Sequence, residues 1–258
     1  MTSEPTRSDG SGPTHQPSQT EAPPRHPVPV GSDAPIFEVM SSMRAMRRLR
    51  PDPVPDELLL KVIEAATWGP SAAHTEHFSF VLVTVRVQMA RLATIWQAVE
   101  AFYADTFLKV PAGDHDPDKL RRTVEAVHYQ AEHFAATPAV MVACYDFGAW
   151  PAAVRKRMMQ TPGTFRRFGL RRSMAMFRNN GTLTNRSEAG SIYPSVQNLL
   201  LAARSLGLAA NITTWHLMAE GEVKRVLGIP KNVHTYAMIP IGWPMGSSGR
   251  CSGTPWSR

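Results

Sequence analysis

The stretch SVQNLLLAARSLGLAANITTW, residues 195–215, decides the fold. Its first part, 195–208, is the strongest amphipathic helix in the chain. Leu199, Leu200, Ala203 and Leu206 share one face, and Gly207 supplies the stop. AANITTW (209–215) then turns to small, β-branched and aromatic residues and reads as a strand. A helix with one apolar face that runs into a short strand implies a sheet with helices laid on it.

The same grammar extends in both directions. EGEVKRVLG (220–228) reads as a helix and TYAMIPIGW (235–243) as a last strand. Upstream, PAVMVACYDF (138–147) and FSFVLVT (78–84) are apolar runs that read as buried strands. VQMARLATIWQAVEAFYADTFL (87–108) and PDKLRRTVEAVHYQAEHFAA (117–136) read as helices, as does DELLLKVIEAATW (56–68). The last of these carries Leu58, Val62, Ala65 and Ala66 on one face and ends at Gly69-Pro70. IFEVMSSMRAMRRL (36–49) is expected as a first helix, capped by Ser32 or Asp33 with Pro35 in its first turn. The strands are short and apolar on both faces, so the expected class is α+β, a three-layer domain with a central sheet flanked by helices.

Around that core the composition shifts. Residues 1–33 are rich in Pro, Ser, Thr and Gln with almost no large apolar side chains, which predicts a disordered tail. The domain is expected over 34–246, with a basic insertion at 150–186 and a Gly/Ser-rich tail at 247–258. Within the insertion, RKRMMQTPGTFRRFGLRRSMAMFR (155–178) holds no acidic residue and carries much of the net charge of +7. It reads as a solvated basic surface or as a surface for anionic ligands such as nucleotide phosphates. No zinc-finger spacing or RNP-type motif accompanies it, so neither nucleic acid nor membrane is expected as a partner. The two cysteines form no CxxC pair, and no apolar run reaches the length of roughly 18 residues that spans a bilayer. A cytoplasmic location is expected.

Two stretches could carry chemistry. His74-Thr75-Glu76-His77 places three metal-ligating types in four positions, but without HExxH spacing or another His/Cys cluster a metal site is not expected. Arg44 and Arg47 stand three apart in RAMRRL, which on a helix puts both guanidinium groups on one face, either solvated or placed to hold a phosphate. GxSxG, GxGxxG and Walker A loops are absent, and Cys144 lies inside an apolar strand. Lacking the side-chain machinery of most hydrolases, the chain fits a protein whose cofactor does the chemistry.

Three stretches together resemble the nitroreductase family of FMN-dependent oxidoreductases: RAMRRLRPDPVPDELL (44–59), AATWGPSAAHTEHFSFVLV (65–83) and SIYPSVQNLLLAARSLGLAANITTW (191–215). VLGIPKN (226–232) and IPIGWP (239–244) follow in order. The resemblance implies a mostly antiparallel sheet, an intertwined homodimer, and FMN bound between subunits. It also implies NADH or NADPH as donor and a nitroaromatic, quinone or similar small acceptor, with no side-chain acid or base named. Flavin storage with little turnover, flavin fragmentation and reductive dehalogenation are the alternatives on the same fold. Residue by residue, Arg44 and Arg47 match the family's FMN-binding arginines, and Ala45 matches a position often held by Ser. Pro70, Ser71 and His74 match the loop that reaches the flavin of the partner subunit. Tyr193, Pro194 and Ser195 match a segment expected to offer backbone N–H groups to the flavin at the start of a helix. His74 stands where Asn is usual and Glu76 where Gln is usual, and the tail after IGWP lacks the usual basic pair, Arg250 being the nearest basic residue. The insertion, with Gly181 and the breaks at Pro151 and Pro162, is expected to form a lid beside the flavin.

Overall fold

A computed structural model describes residues 31, 33–71, 77–106, 117–146, 148 and 150–246. The helices are α1 (Ile36–Ser42), α2 (Asp56–Thr67), α3 (Arg86–Asp105), α4 (Pro117–Glu132), α5 (Trp150–Gln160), α6 (Pro162–Phe168), α7 (Leu170–Arg178), α8 (Asn180–Ser205) and α9 (Glu220–Leu227). The strands are β1 (Phe78–Val83), β2 (Ala139–Tyr145), β3 (Ala209–Ala210) and β4 (His234–Gly242). They form one antiparallel sheet in the order β1-β2-β4-β3.

β2 shows why three layers form. Every residue in it is buried, and alternate side chains enter different cores because a strand has a two-residue period. Ala139, Met141, Ala143 and Tyr145 pack with Val62 and Ala66 of α2 and Leu199, Leu200 and Ala203 of α8. Val140, Val142 and Cys144 pack on the opposite face with Met89, Leu92 and Trp96 of α3 and Val223 of α9. β1 is an edge strand, and Ser79 is exposed where a buried strand was expected. Arg86 ties the start of α3 to β2, its Nη1 donating to the Thr137 carbonyl at 2.9 Å and its Nη2 to the Pro138 carbonyl at 2.6 Å.

Three expectations need correction. The first helix ends at Ser42, not Leu49, and its N-cap is Pro35. From Met43 the chain runs extended along the end of the sheet. The Met46 N–H donates to the Ala210 carbonyl at 3.3 Å, Arg50 N–H to Trp243 at 2.8 Å, and Met245 N–H to Arg48 at 3.1 Å. Sheet-edge hydrogen bonds thus outcompete a helix-compatible sequence, and Arg44 and Arg47 do not lie on a helix. The strand expected at 209–215 is regular only over Ala209–Ala210. Beyond it the partner residue is Pro240, which has no N–H to donate, and the ladder resumes only as a bridge between Thr213 and Met238.

The third correction concerns α8. It begins at Asn180 and runs unbroken to Ser205, so Tyr193, Pro194 and Ser195 lie mid-helix and not at a helix start. Pro194 is internal and removes one helical hydrogen bond, yet the helix continues because its buried face spans Glu188 to Ala203. Near its first half, Glu188 is buried and accepts hydrogen bonds from the Tyr236 hydroxyl and from His234 Nδ1, the latter at 2.6 Å, which clasps α8 to β4. Gly207 follows with φ of 79°, a left-handed value that glycine adopts freely and that ends the helix as expected.

Candidate functional site

Because backbone bonds hold residues 43–50 against the sheet, their side chains are left to line the surface beside it. A cavity of about 460 Å³ is walled by Arg44, Ala45, Met46, Arg47 and Arg48 on one side and by Tyr129, Met245 and Gly246 on the other. The Arg48 guanidinium lies over the Tyr129 ring, 5.1 Å from its centroid. The same ring stacks on His133 at 4.0 Å, and its hydroxyl donates to Met245 Sδ at 3.0 Å.

Arg47 also opens onto a second cavity of about 440 Å³, whose walls include Trp96, Tyr103, Gln130, Tyr193 and the run from Asn211 to Trp215. Burial pushes the Arg47 pKa down, and nearby Tyr103 works in the other direction. A guanidinium does not give up its proton in a protein, so what burial produces is a cation short of hydration, which an anionic ligand would offset. The inner wall is rigid. Gln130 Nε2 donates to Asn211 Oδ1 at 2.8 Å, and both side chains are buried. Thr213 exchanges backbone bonds with Met238 at 3.0 and 2.9 Å. Trp215 stacks on Trp96 at 5.5 Å and meets the tilted ring of Tyr103 at 4.5 Å, giving the cavity an aromatic side. The Tyr193 hydroxyl donates to the Tyr236 carbonyl at 3.2 Å, and burial raises its pKa.

Arg44, Ala45, Arg47 and Tyr193 thus line two cavities that have Arg47 in common. Pro70 and Ser71 follow Gly69, which lies against α8 so closely that a Cβ there would fall 2.7 Å from both the Cα and the N of Ser195. Ser195 is buried with its Oγ unpartnered among the described residues, and it does not line either cavity. His74, and with it Glu76, lies outside the described residues. Among the described residues, neither of these two cavities is walled by residues of 150–186. Arg48, Tyr129, Asn211 and Thr213 were not anticipated. Arg48 stood in RAMRRL, and the NITT run was read only as strand. Burial pushes the Cys144 thiol up to about 11, which leaves it a core residue and not a nucleophile.

A guanidinium-rich cavity thus lies beside an aromatic one on a three-layer α+β fold, with Arg47 lining both. The chain belongs to the nitroreductase family, whose model matches residues 41–243. A protein of Methanothermobacter thermautotrophicus, provisionally named an NADH dehydrogenase/NAD(P)H nitroreductase, is 24% identical over 217 residues, covering 83% of this chain and 80% of that protein. An iodotyrosine deiodinase of Danio rerio is 24% identical over 210 residues, which are 81% of this chain but 60% of the fish protein. The crystal structure of an iodotyrosine deiodinase bound to FMN and 3-iodo-L-tyrosine shares the fold, with a TM-score of 0.59 and 14% identity, covering 87% of this chain and 97% of that one.

Proposed function

We propose that this chain is an FMN-dependent oxidoreductase that takes reducing equivalents from NADH or NADPH and passes them to a small acceptor. The observation that carries the reading is Arg47, which lines both an arginine-rich cavity and an aromatic one. The donor set suits FMN: guanidinium groups pair with phosphate by charge-assisted hydrogen bonds, and a planar ring suits an aromatic-sided pocket. When bound, FMN would supply hydride transfer through its N5, from the nicotinamide to a nitroaromatic, quinone or similar acceptor.

The chain's own part is binding and electrostatics. Arg44 and Arg48 draw the phosphate to the outer cavity, where the Ala45 backbone can add a contact. Arg47 holds positive charge in the wall common to both cavities, where negative charge on the ligand is stabilised. Trp96, Tyr103 and Trp215 exclude water from the inner cavity, and Asn211 and Thr213 offer hydrogen-bonding groups to a ring edge. Tyr193 sets the inner limit of the site, with Pro194 and Ser195 behind it on α8. The loop of Pro70, Ser71 and His74 serves the flavin of a second subunit, so the working unit is a homodimer. The domain spans 34–246. Anaerobic mixing of the FMN-loaded protein with NADH, then NADPH, tests the proposal: bleaching of the flavin followed by turnover with a quinone supports it. A flavin that stays oxidised with both donors refutes it, and leaves flavin binding without turnover.

A second reading, reductive removal of halide from an aromatic ring, is favoured by the likeness to iodotyrosine deiodinase. Halide release from a halotyrosine under reducing, anaerobic conditions, without turnover of nitroaromatics or quinones, would select it.

A further inference from the structure

β4 breaks its two-residue alternation at one place, and the side chain re-aimed there leads back to the inner cavity. Ala237, Ile239 and Ile241 pack in the core of α2 and α8, whereas Met238 packs in the core of α3 and α9. By alternation Tyr236 belongs on the side of Met238. Yet the register with β2 steps from Ala143 opposite Ala237 to Cys144 opposite Thr235, which skips Tyr236 in a β-bulge. The bulge turns Tyr236 toward α8, so that it packs on the same core as Ala237. Thr235 is turned the other way, and its Oγ1 donates to Glu220 of α9 at 2.8 Å.

On α8 the Tyr236 side chain meets Glu188, which is 1% exposed. The Glu188 carboxylate accepts from the Tyr236 hydroxyl and, at 2.6 Å, from Nδ1 of the half-exposed His234. In the opposite direction, the Tyr193 hydroxyl of α8 donates to the Tyr236 carbonyl at 3.2 Å. The two rings meet edge to face with centroids 6.2 Å apart. Tyr193 then lines the inner cavity. Burying a carboxylate costs more than burying an amide, so cohesion of the core does not by itself call for Glu188. A carboxylate only accepts, however, which obliges Tyr236 to donate and holds the bulge in the form whose carbonyl faces Tyr193.

We propose that Glu188 and Tyr236 are positioning residues that fix the Tyr193 side chain at the wall of the inner cavity. The consequence for a ligand rests on the function proposed above: a fixed Tyr193 gives the flavin ring a defined limit, and a loosened one enters its space.

The ligand-free chain labelled with 3-fluorotyrosine gives one fluorine resonance for each of its five tyrosines, assigned by single replacements with Phe. Glu188→Leu should shift the Tyr193 resonance together with that of Tyr236, and Glu188→Gln, which keeps an acceptor oxygen, should restore both. FMN affinity should follow, about tenfold weaker in Glu188→Leu and recovered in Glu188→Gln. Should Glu188→Leu fail to fold, Tyr236→Phe removes a single oxygen and is expected to shift the Tyr193 resonance in its place. A Tyr193 resonance that stays put in these variants overturns the proposal. So does a shift spread over all the tyrosines, or an FMN affinity that is unchanged although Tyr193 has moved. A parent chain that takes up no FMN refutes the function proposed above, while the Tyr193 resonance, read without ligand, still decides the positioning.

Discussion

The segments that line the two cavities are held in different ways. Residues 44–50 are held by their backbone, through bonds to Ala210, Trp243 and Met245, and the side chains of 44–48 line the cavity. Residues 211–216 add side-chain anchors to the backbone bonds of Thr213 with Met238: Asn211 is locked to Gln130, Trp215 packs against Trp96 and Tyr103, and His216 is 1% exposed. A wall anchored by backbone can change its side chains and keep its shape. A wall anchored by side chains cannot. Mutations in the first wall should therefore affect ligand binding alone, and mutations in the second should affect binding and stability together.

The largest effect is expected at His216. Burial lowers its pKa to about 4 from 6.5, so the folded ring stays neutral while the unfolded ring takes up a proton as pH falls below that higher value. Stability is fully present above pH 6.5, declines as pH drops toward 4, and by then has fallen by about 3 kcal/mol at 1.36 kcal/mol per pKa unit. Urea titrations above and below this window should show the decline, and a His216→Leu variant should show a flatter one. Asn211→Leu comes next. It strands the Gln130 amide in the interior, at a cost of about 1–3 kcal/mol, and it should lower the melting temperature and FMN affinity together. The double variant Gln130→Leu/Asn211→Leu should recover part of the stability, because no polar group is then left unpaired.

The outer wall should behave differently. Arg47→Ala should weaken FMN binding about 10- to 100-fold, the value of a charge-assisted contact, with little change in melting temperature. Isothermal titration and thermal melts on the same samples would show whether the two effects separate. If Arg47→Ala lowers the melting temperature as much as Asn211→Leu does, the contrast between the walls fails. Arg48→Ala should have the smallest effect, about 0.5–1 kcal/mol, since its exposed guanidinium already has the Tyr129 ring.

This contrast also explains what could be read in the sequence. β2 was legible because both of its faces are buried, and PAVMVACYDF shows that directly. α2 and the second half of α8 were legible from their apolar faces. The shape of 43–50 was not, since RAMRRL suits a helix and only the nearby sheet end decides otherwise. Pro194 reads locally as a break, yet α8 passes through it because the packing on both sides holds the helix. Arg44 and Arg47 were singled out by their spacing and by the resemblance, but the single helix face assumed for them was mistaken. They share a cavity because an extended segment places them there. Asn211 and Thr213 went unread because their value depends on Gln130 and Met238, partners far away in sequence.

The central claim is that the two cavities lined by Arg47 hold FMN. It is tested most directly by equilibrating the purified protein with FMN, removing the excess by gel filtration, and recording the visible absorption spectrum of parent and Arg47→Ala side by side. The account predicts a yellow parent protein that releases FMN on denaturation, and a variant that retains much less. A parent protein that stays colourless, or a variant that retains as much flavin as the parent, would contradict it.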